Sequence, residues 1–342
     1  GTIDSWHVWK LSGGRLHLTD PTNASRTLLY NLDTGDWDPA LLERFGVPAA
    51  VLPEIRGSSE VYGTSCGSAL GAELPLAGIA GDQQAALYGQ GCWTAGLGKN
   101  TYGTGAFLLL HTGSERVASW SGLLTTAACG PKGERAFALE GSIFIAGAAV
   151  QWLRDQVGAV ASAAETEELA RSLESNDGVY LVPAFTGLGA PHWESRARGM
   201  IVGLTRGTGR AHLARAALES MAYSTHDVVA AMQADSGVAL RELRVDGGAA
   251  ANDWLMRFQA DVLGLDVRRP ALVETTALGA AGLAGLAVGM WETPEAFLAA
   301  REEDSVFHAN ADAAGRAANL AGWRRAVRAA CAWAGDEEEH AP

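Results

Sequence analysis

The chain has 342 residues, enough for two hydrophobic cores, since single cores usually stop growing well below that length. With 48% hydrophobic and 19% charged residues, 42 glycines and 11 prolines, it belongs with soluble α/β proteins and away from disordered or fibrous classes. A formal net charge of -13 speaks against nucleic-acid or anionic-membrane surfaces, which need clustered Lys and Arg. The cysteines Cys66, Cys92, Cys129 and Cys331 form no C-x-x-C pair or zinc-like spacing and read as reduced thiols of a cytoplasmic protein.

The opening Gly1 to Lys10 carries Asp4, His7 and Lys10 where a secretory signal would have a basic start and an apolar core, and reads as the middle of a protein. Residues 1 to 80 mix short apolar runs with turns, and Asp38 to Phe45 has helical spacing that stops before Gly46. Leu76 to Ile79 reads as a strand leading through Gly81 into a helix that starts at Asp82. Asn100 to Gly105 is a turn-rich stretch before the apolar run Ala106 to Leu110, as in a hairpin. Gly141 to Trp152 is expected to run from a loop into a helix carrying Gln151.

Ala217, Met221, Val228 and Met232 recur at steps of four or seven, which predicts one face of a long helix. Leu243 to Val245 reads as a strand entering Asp246-Gly247-Gly248, with helical spacing from Ala249 to Leu263; strand, glycine turn and helix in that order often build a nucleotide site. Thr275 to Trp291 is uncharged but broken by glycines and short for a membrane span, so it predicts a buried small-residue helix. Asp336 to Glu339 reads as a solvated acidic tail.

Four features could carry chemistry. Asp82, where strand becomes helix, could project a carboxylate into a cleft or simply cap the helix. The glycine turns at 100–105 and 246–248 could bring backbone amides to phosphate oxygens, because no Cβ blocks the approach. Gln151 and Asn252 are amides suited to a purine edge or to fixing a loop. His192 and Trp193 have no accompanying G-x-S-x-G nucleophile pattern and read as structural.

Gly81-Asp82-Gln83-Gln84-Ala85-Ala86-Leu87 and Lys99-Asn100-Thr101-Tyr102-Gly103-Thr104-Gly105 resemble the glycerol kinase branch of the FGGY carbohydrate kinase family. Further blocks resemble it in the same order: Thr2 to Trp6, Thr22 to Thr27, Gln151 to Asp155, Ala190 to Trp193 and Asp246 to Asn252. The resemblance implies an α/β, actin-like ATPase (ribonuclease H-like) fold with two domains around a cleft, the first incomplete. Residues 1–91 would complete the polyol-binding domain, 92–335 would form the nucleotide-binding domain, and 336–342 the tail. It implies ATP-dependent phosphorylation of glycerol to sn-glycerol 3-phosphate, with Asp82 as catalytic base and Asp82, Gln83 and Phe107 contacting glycerol. Thr104, Gly147, Gln151, Gly248, Ala249 and Asn252 would hold ATP or ADP, and Mg²⁺ would meet Asp82 directly or through water. A homo-oligomer is also implied, with no nucleic acid and no membrane insertion. Another FGGY sugar kinase and a non-catalytic actin-like nucleotide-binding module remain as alternatives.

Two departures from the family pattern matter. The family's first Asp-Gly-Thr phosphate turn, and an Arg-Glu pair and Tyr for the polyol, lie upstream of what matches Gly1, so the chain alone is expected to react slowly. The stretch Cys66 to Glu73 has neither the Gly-Gly-Thr-Arg that binds fructose 1,6-bisphosphate in some relatives nor the phosphorylatable His of others, so neither control is expected.

Overall fold

A computed structural model describes residues 1–272, 274–300 and 305–335 of the chain; the acidic stretch Asp336 to Glu339 lies outside the described residues. Its centre is a mixed sheet of β1 (Leu97–Tyr102), β2 (Ala106–Gly113), β3 (Leu124–Cys129), β4 (Arg135–Ile143), β5 (Glu242–Gly247), β6 (Val267–Arg269) and β7 (Ser305–Phe307). The order across the sheet is β7-β6-β5-β1-β2-β4-β3. The hairpin β1–β2 and its neighbours β4 and β3 are antiparallel, whereas β5 lies parallel to both β1 and β6. Parallel neighbours need a long crossover. Between β4 and β5 it contains α2 (Gly147–Trp152) and α3 (Arg210–Ser236).

Side chains of successive strand residues point to opposite faces, and the core follows that alternation. Leu108, Leu110, Leu139, Leu243 and Val245 share one cluster with Met221, Val228 and Met232 of α3. Leu109, Ala136 and Ala138 turn the other way, onto Leu87 of α1 (Asp82–Gly89). The predicted stripe of α3 is therefore its sheet-facing side, with Ala217, Met221, Val228 and Met232 all buried. Each large apolar side chain so buried contributes roughly 1.5–3 kcal/mol. α4 (Asp253–Leu263) follows the second glycine turn. The expectation for Gly141 to Trp152 needs correction at its start, because Gly141 to Ile143 finish β4 and the helix begins only at Gly147.

The first 80 residues build only two-stranded pairings among the described residues: Leu18–Thr19 with Glu54–Ile55, Tyr30–Asn31 with Asp36–Trp37, and Ser59–Thr64 with Pro75–Gly78. The small-residue helix is α5 (Thr275–Ala287), and it lies against α1 and the strand Pro75–Gly78. Its glycines are there for proximity. A Cβ on Gly279 would sit 1.8 Å from the Ala85 carbonyl oxygen, so the two helices touch backbone to backbone. α6 (Ala313–Gly335) closes the far side of the α3 layer through Leu320, Trp323 and Val327. No helix among the described residues is long and apolar enough to cross a membrane, and all four cysteines are free thiols.

One ionic cluster is buried in α3. Arg215 Nε donates to Glu219 Oε1 at 2.7 Å, while Asn176 and the Tyr223 hydroxyl donate to Glu219 Oε2 at 2.8 and 3.0 Å. Burial pushes the Glu219 carboxyl up, and these bonds oppose it. Arg215→Ala is expected to cost about 3–5 kcal/mol in urea unfolding, because it strands a buried carboxylate. The exposed Arg210, paired with Glu165, is expected to cost under about 1 kcal/mol when replaced by Ala.

Candidate active site

The turn Gly103 to Gly105, between β1 and β2, is the hub of the site. Gly103 N–H bonds across the turn to the Gly105 carbonyl at 2.8 Å. The Gly103 carbonyl accepts from Gly147 N–H at 3.0 Å, and the Thr104 carbonyl accepts from Ala146 and Ala148 N–H at 2.8 and 3.1 Å. The second glycine turn presses on the same place. Gly247 has φ 83°, and a Cβ there would lie 2.3 Å from the Tyr102 carbonyl oxygen, so only glycine fits. Two turns that are weak signals singly in the sequence thus form one structural unit.

On one side of this unit opens a cavity of about 540 Å³, whose lining includes Thr104, Gly147, Gln151, Gly248, Ala249 and Asn252. All six positions expected to meet the nucleotide are therefore gathered in one place. Its remaining walls mix apolar Val150, Leu218 and Met221 with Arg154, as ligand pockets commonly do. Asn252 has a structural task as well. Its Oδ1 accepts Leu255 N–H at 2.9 Å and caps α4, and its Nδ2 lies 3.5 Å from Thr166 Oγ1, also of the cavity lining.

Asp82, Gln83 and Phe107 lie outside that cavity, beyond the turn. Asp82 is the first residue of α1, and Gly81 occupies the cap position, so the carboxylate is not the helix cap. It is exposed, with Oδ1 accepting Gln83 N–H at 2.7 Å. The backbone beneath it is held by residues from early in the chain. Gly81 N–H donates to Thr22 Oγ1 at 2.7 Å, and Thr22 Oγ1 donates to Asp20 Oδ2 at 2.7 Å. Asp20 is fully buried and also accepts from Ser58 Oγ and from Asn23. Burial raises its carboxyl, and these donors oppose the rise.

Lys99, on β1, joins the Asp82 helix to the hub. It is 0% exposed, and its Nζ donates to Gln83 Oε1 and, at 2.7 Å, to Thr101 Oγ1. Thr101 stands opposite Phe107 on β2 and opposite Asp246 on β5. Asp246 Oδ2 in turn accepts from Gln90 Nε2 at 2.7 Å and from Thr275 Oγ1. Sequence reasoning missed Lys99, Asp20 and Asp246 as members of the site. The first was legible in principle, since Lys99 and Thr101 are two apart and so share a strand face.

His192 and Trp193 are tied into the scaffold, as expected. His192 Nε2 lies 3.1 Å from Asp227 Oδ2, which also accepts from Trp323 Nε1 at 2.7 Å, and Trp193 Nε1 donates to the Ser121 carbonyl. Burial would raise the Asp227 carboxyl, but the donors around it outweigh burial and hold it at about 2.

Residues 98–288 match the C-terminal domain of the FGGY family of carbohydrate kinases, and residues 1–89 match its N-terminal domain. The chain belongs to that family. Among curated FGGY relatives, the glycerol kinases of Vibrio cholerae and Vibrio vulnificus are 57% and 56% identical over 98% and 97% of this chain. The chain spans 66% of the length of each. A crystal structure of Plasmodium falciparum glycerol kinase with ADP superposes with a TM-score of 0.91 at 37% identity, over 96% of this chain and 66% of that one. Gluconate kinase from Lactobacillus acidophilus, at 21% identity and TM-score 0.83 over 99% of this chain and 68% of that one, shares the fold. The actin-like ATPase fold expected from the sequence is thus the fold observed.

Within this FGGY scaffold the buried lysine has a measurable signature. Burial pushes the Lys99 ammonium down to about 8, against the pull of the Asp246, Glu140 and Asp82 carboxylates and of Cys92. Below about pH 8 both folded and unfolded chains hold this proton, and the burial penalty is fully present. Between about 8 and the ordinary lysine value near 10.5 the unfolded chain keeps the proton and the folded chain does not. Unfolding free energy relative to Lys99→Met should therefore rise across that window, by at most on the order of 3 kcal/mol. Urea titrations at a series of pH values check it; a difference that is flat or falls with pH contradicts it.

Proposed function

We propose that the chain carries the nucleotide site and the catalytic base of an ATP-dependent glycerol kinase, which moves the γ-phosphoryl group of ATP to a terminal hydroxyl of glycerol and yields sn-glycerol 3-phosphate. The observation that carries the choice of substrate is the 57% identity to a glycerol kinase over 98% of the chain. Fold alone could not make it, because a gluconate kinase has the same one.

In this reading Asp82 accepts the proton of the attacking hydroxyl, and its exposure at the start of α1 leaves it open to a substrate. Gln83 hydrogen-bonds the polyol, and the Phe107 ring, 41% exposed, covers its carbon backbone. Thr104 and its glycine neighbours face the phosphates, Gln151 and Asn252 take the adenosine, and Gly248 and Ala249 line its path. Turn and helix are fixed by the bonds described above, so in-line placement of the two reactants rests on the backbone.

Mg²⁺ fits this arrangement. No cluster of His, Cys, Asp or Glu among the described residues could hold a metal by itself, but the open Asp82 carboxylate offers the hard oxygen donor that such an ion takes together with phosphate oxygens and water. When bound, the ion would neutralise charge on the transferring phosphoryl group. Self-association, implied by the family resemblance, and a cytoplasmic location are part of the same proposal.

The test is glycerol-dependent ADP release by the 342-residue chain, and by the chain extended at its start to the length of its relatives, with xylulose and gluconate as competing acceptors. Asp82→Asn is expected to lower turnover at least about 100-fold with nucleotide affinity kept. Preference for gluconate or xylulose would move the protein to another branch of the family. ATP binding without turnover in either form would leave a non-catalytic nucleotide-binding module.

A further inference from the structure

We propose that Lys99 is a positioning residue of the polyol site, which takes the side-chain oxygen of Gln83 as its acceptor and so fixes the amide with its NH₂ end toward the substrate. The proposal rests on the reading that Gln83 contacts the polyol.

The two ends of a glutamine amide are nearly the same size, and in most settings packing does not distinguish them. An ammonium group does. It has three donors and no acceptor, so the amide atom it meets has to be the oxygen. Lys99 Nζ makes that contact with Gln83 Oε1 and uses a second proton on Thr101 Oγ1 at 2.7 Å. The donor end of Gln83 is left for a ligand.

This orientation suits a hydroxylated substrate next to a carboxylate. Asp82 is an acceptor, and a second acceptor beside it would ask the substrate for two donated protons. With the NH₂ group presented, the pair offers one acceptor and one donor. One hydroxyl can then give its proton to Asp82 while a neighbouring hydroxyl oxygen accepts from Gln83. A flipped amide would lose that match.

The charge of Lys99 also calls for a reason. A methionine of similar volume would fill the space under α1 without the cost of desolvating an ammonium group. The lysine lies among charges of opposite sign from three elements, Asp246 on β5, Glu140 on β4 and Asp82 on α1, with the Cys92 thiol also near. Glu140 is itself paired with Arg26, at 2.7 Å. These carboxylates, buried Asp246 above all, favour a cation at this position, and the bond to Gln83 Oε1 places that cation where it also orients the amide.

Two measurements test the proposal. In the 342-residue chain with ¹⁵N-labelled glutamine, the side-chain NH₂ signals of Gln83, assigned by their loss in Gln83→Ala, are expected to move in Lys99→Met. They should return toward their original positions in Lys99→Arg, which keeps a donor-only cation, and stay in place in Lys132→Met, where the lysine is exposed. Gln83 signals unchanged by Lys99→Met would overturn the proposal.

The second is a double-mutant cycle on the chain extended to its relatives' length. Gln83→Ala and Lys99→Met are each expected to raise the KM for glycerol about tenfold, the double variant no more than either alone, and the KM for ATP not at all. Effects that multiply in the double variant would show that Lys99 does not act through Gln83. An unchanged glycerol KM in Gln83→Ala alone would instead remove the polyol reading of Gln83, an outcome the NMR signals keep separate from failure of the Lys99 contact.

Discussion

Amide groups of Ala146, Gly147 and Ala148 close on the carbonyls of Gly103 and Thr104, so the turn between β1 and β2 cannot shift without the start of α2. Gly247 braces the same turn from β5, against the Tyr102 carbonyl. Three separate stretches of chain are thereby locked at one point. Each bond is modest by itself, about 0.5–1.5 kcal/mol net, but the groups are pinned from several directions at once. The cavity lined by Gln151 and Asn252 lies on one side of that point, and the carboxylate helix on the other.

β1 divides the two. Its alternation sends Asn100 and Tyr102 toward α3 and α4, where Asn100 Nδ2 donates to Thr225 Oγ1 of α3 and the Tyr102 hydroxyl to Gln259 of α4, and sends Lys99 and Thr101 toward α1. A slip of one residue in the register of β1 would exchange these sets and bury the wrong groups on both faces. The chain commits heavily against that slip. A buried lysine and a buried asparagine are both costly without partners, and in the observed register Lys99 Nζ meets Gln83 and Thr101 while Asn100 Nδ2 meets Thr225.

The parts of this arrangement that the sequence disclosed are those with local causes. The stripe Ala217, Met221, Val228, Met232 is legible because one helix face meets one sheet face, and the glycine turns because the residues that build them are adjacent. Gly141 to Ile143 were misread because a buried strand end and a helix start are both apolar there, and periodicity cannot separate them over so few residues. Asp20 was invisible for another reason. Its bonds from Thr22 and Asn23 are local, but the bond from Ser58 spans 38 residues and its effect on Asp82 passes through Thr22 and Gly81. Lys99 lay inside a recognisable block, yet its part was hidden by the turn-like composition around it. The full set of residues expected at the nucleotide site came from family resemblance, while the residues alone offered two amides and two glycine turns as weak candidates for a nucleotide contact.

The contact between α1 and α5 bears on how accurately the Asp82 carboxylate is set. Where side chains separate two helices, their spacing inherits the spread of rotamers at the interface. Here Gly279 meets the Ala85 carbonyl and Gly89 meets the Thr275 carbonyl, so peptide groups themselves are the spacers. The distance is then set by van der Waals contact between peptide groups, and a side chain at Gly279 or Gly89 would force the helices apart. Thr275 and Thr276, at the start of α5, bond to Asp246 and to the Asp82 carbonyl respectively. The helix of small residues thus works as a gauge block, linking the sheet's glycine turn to the helix that carries the Asp82 carboxylate.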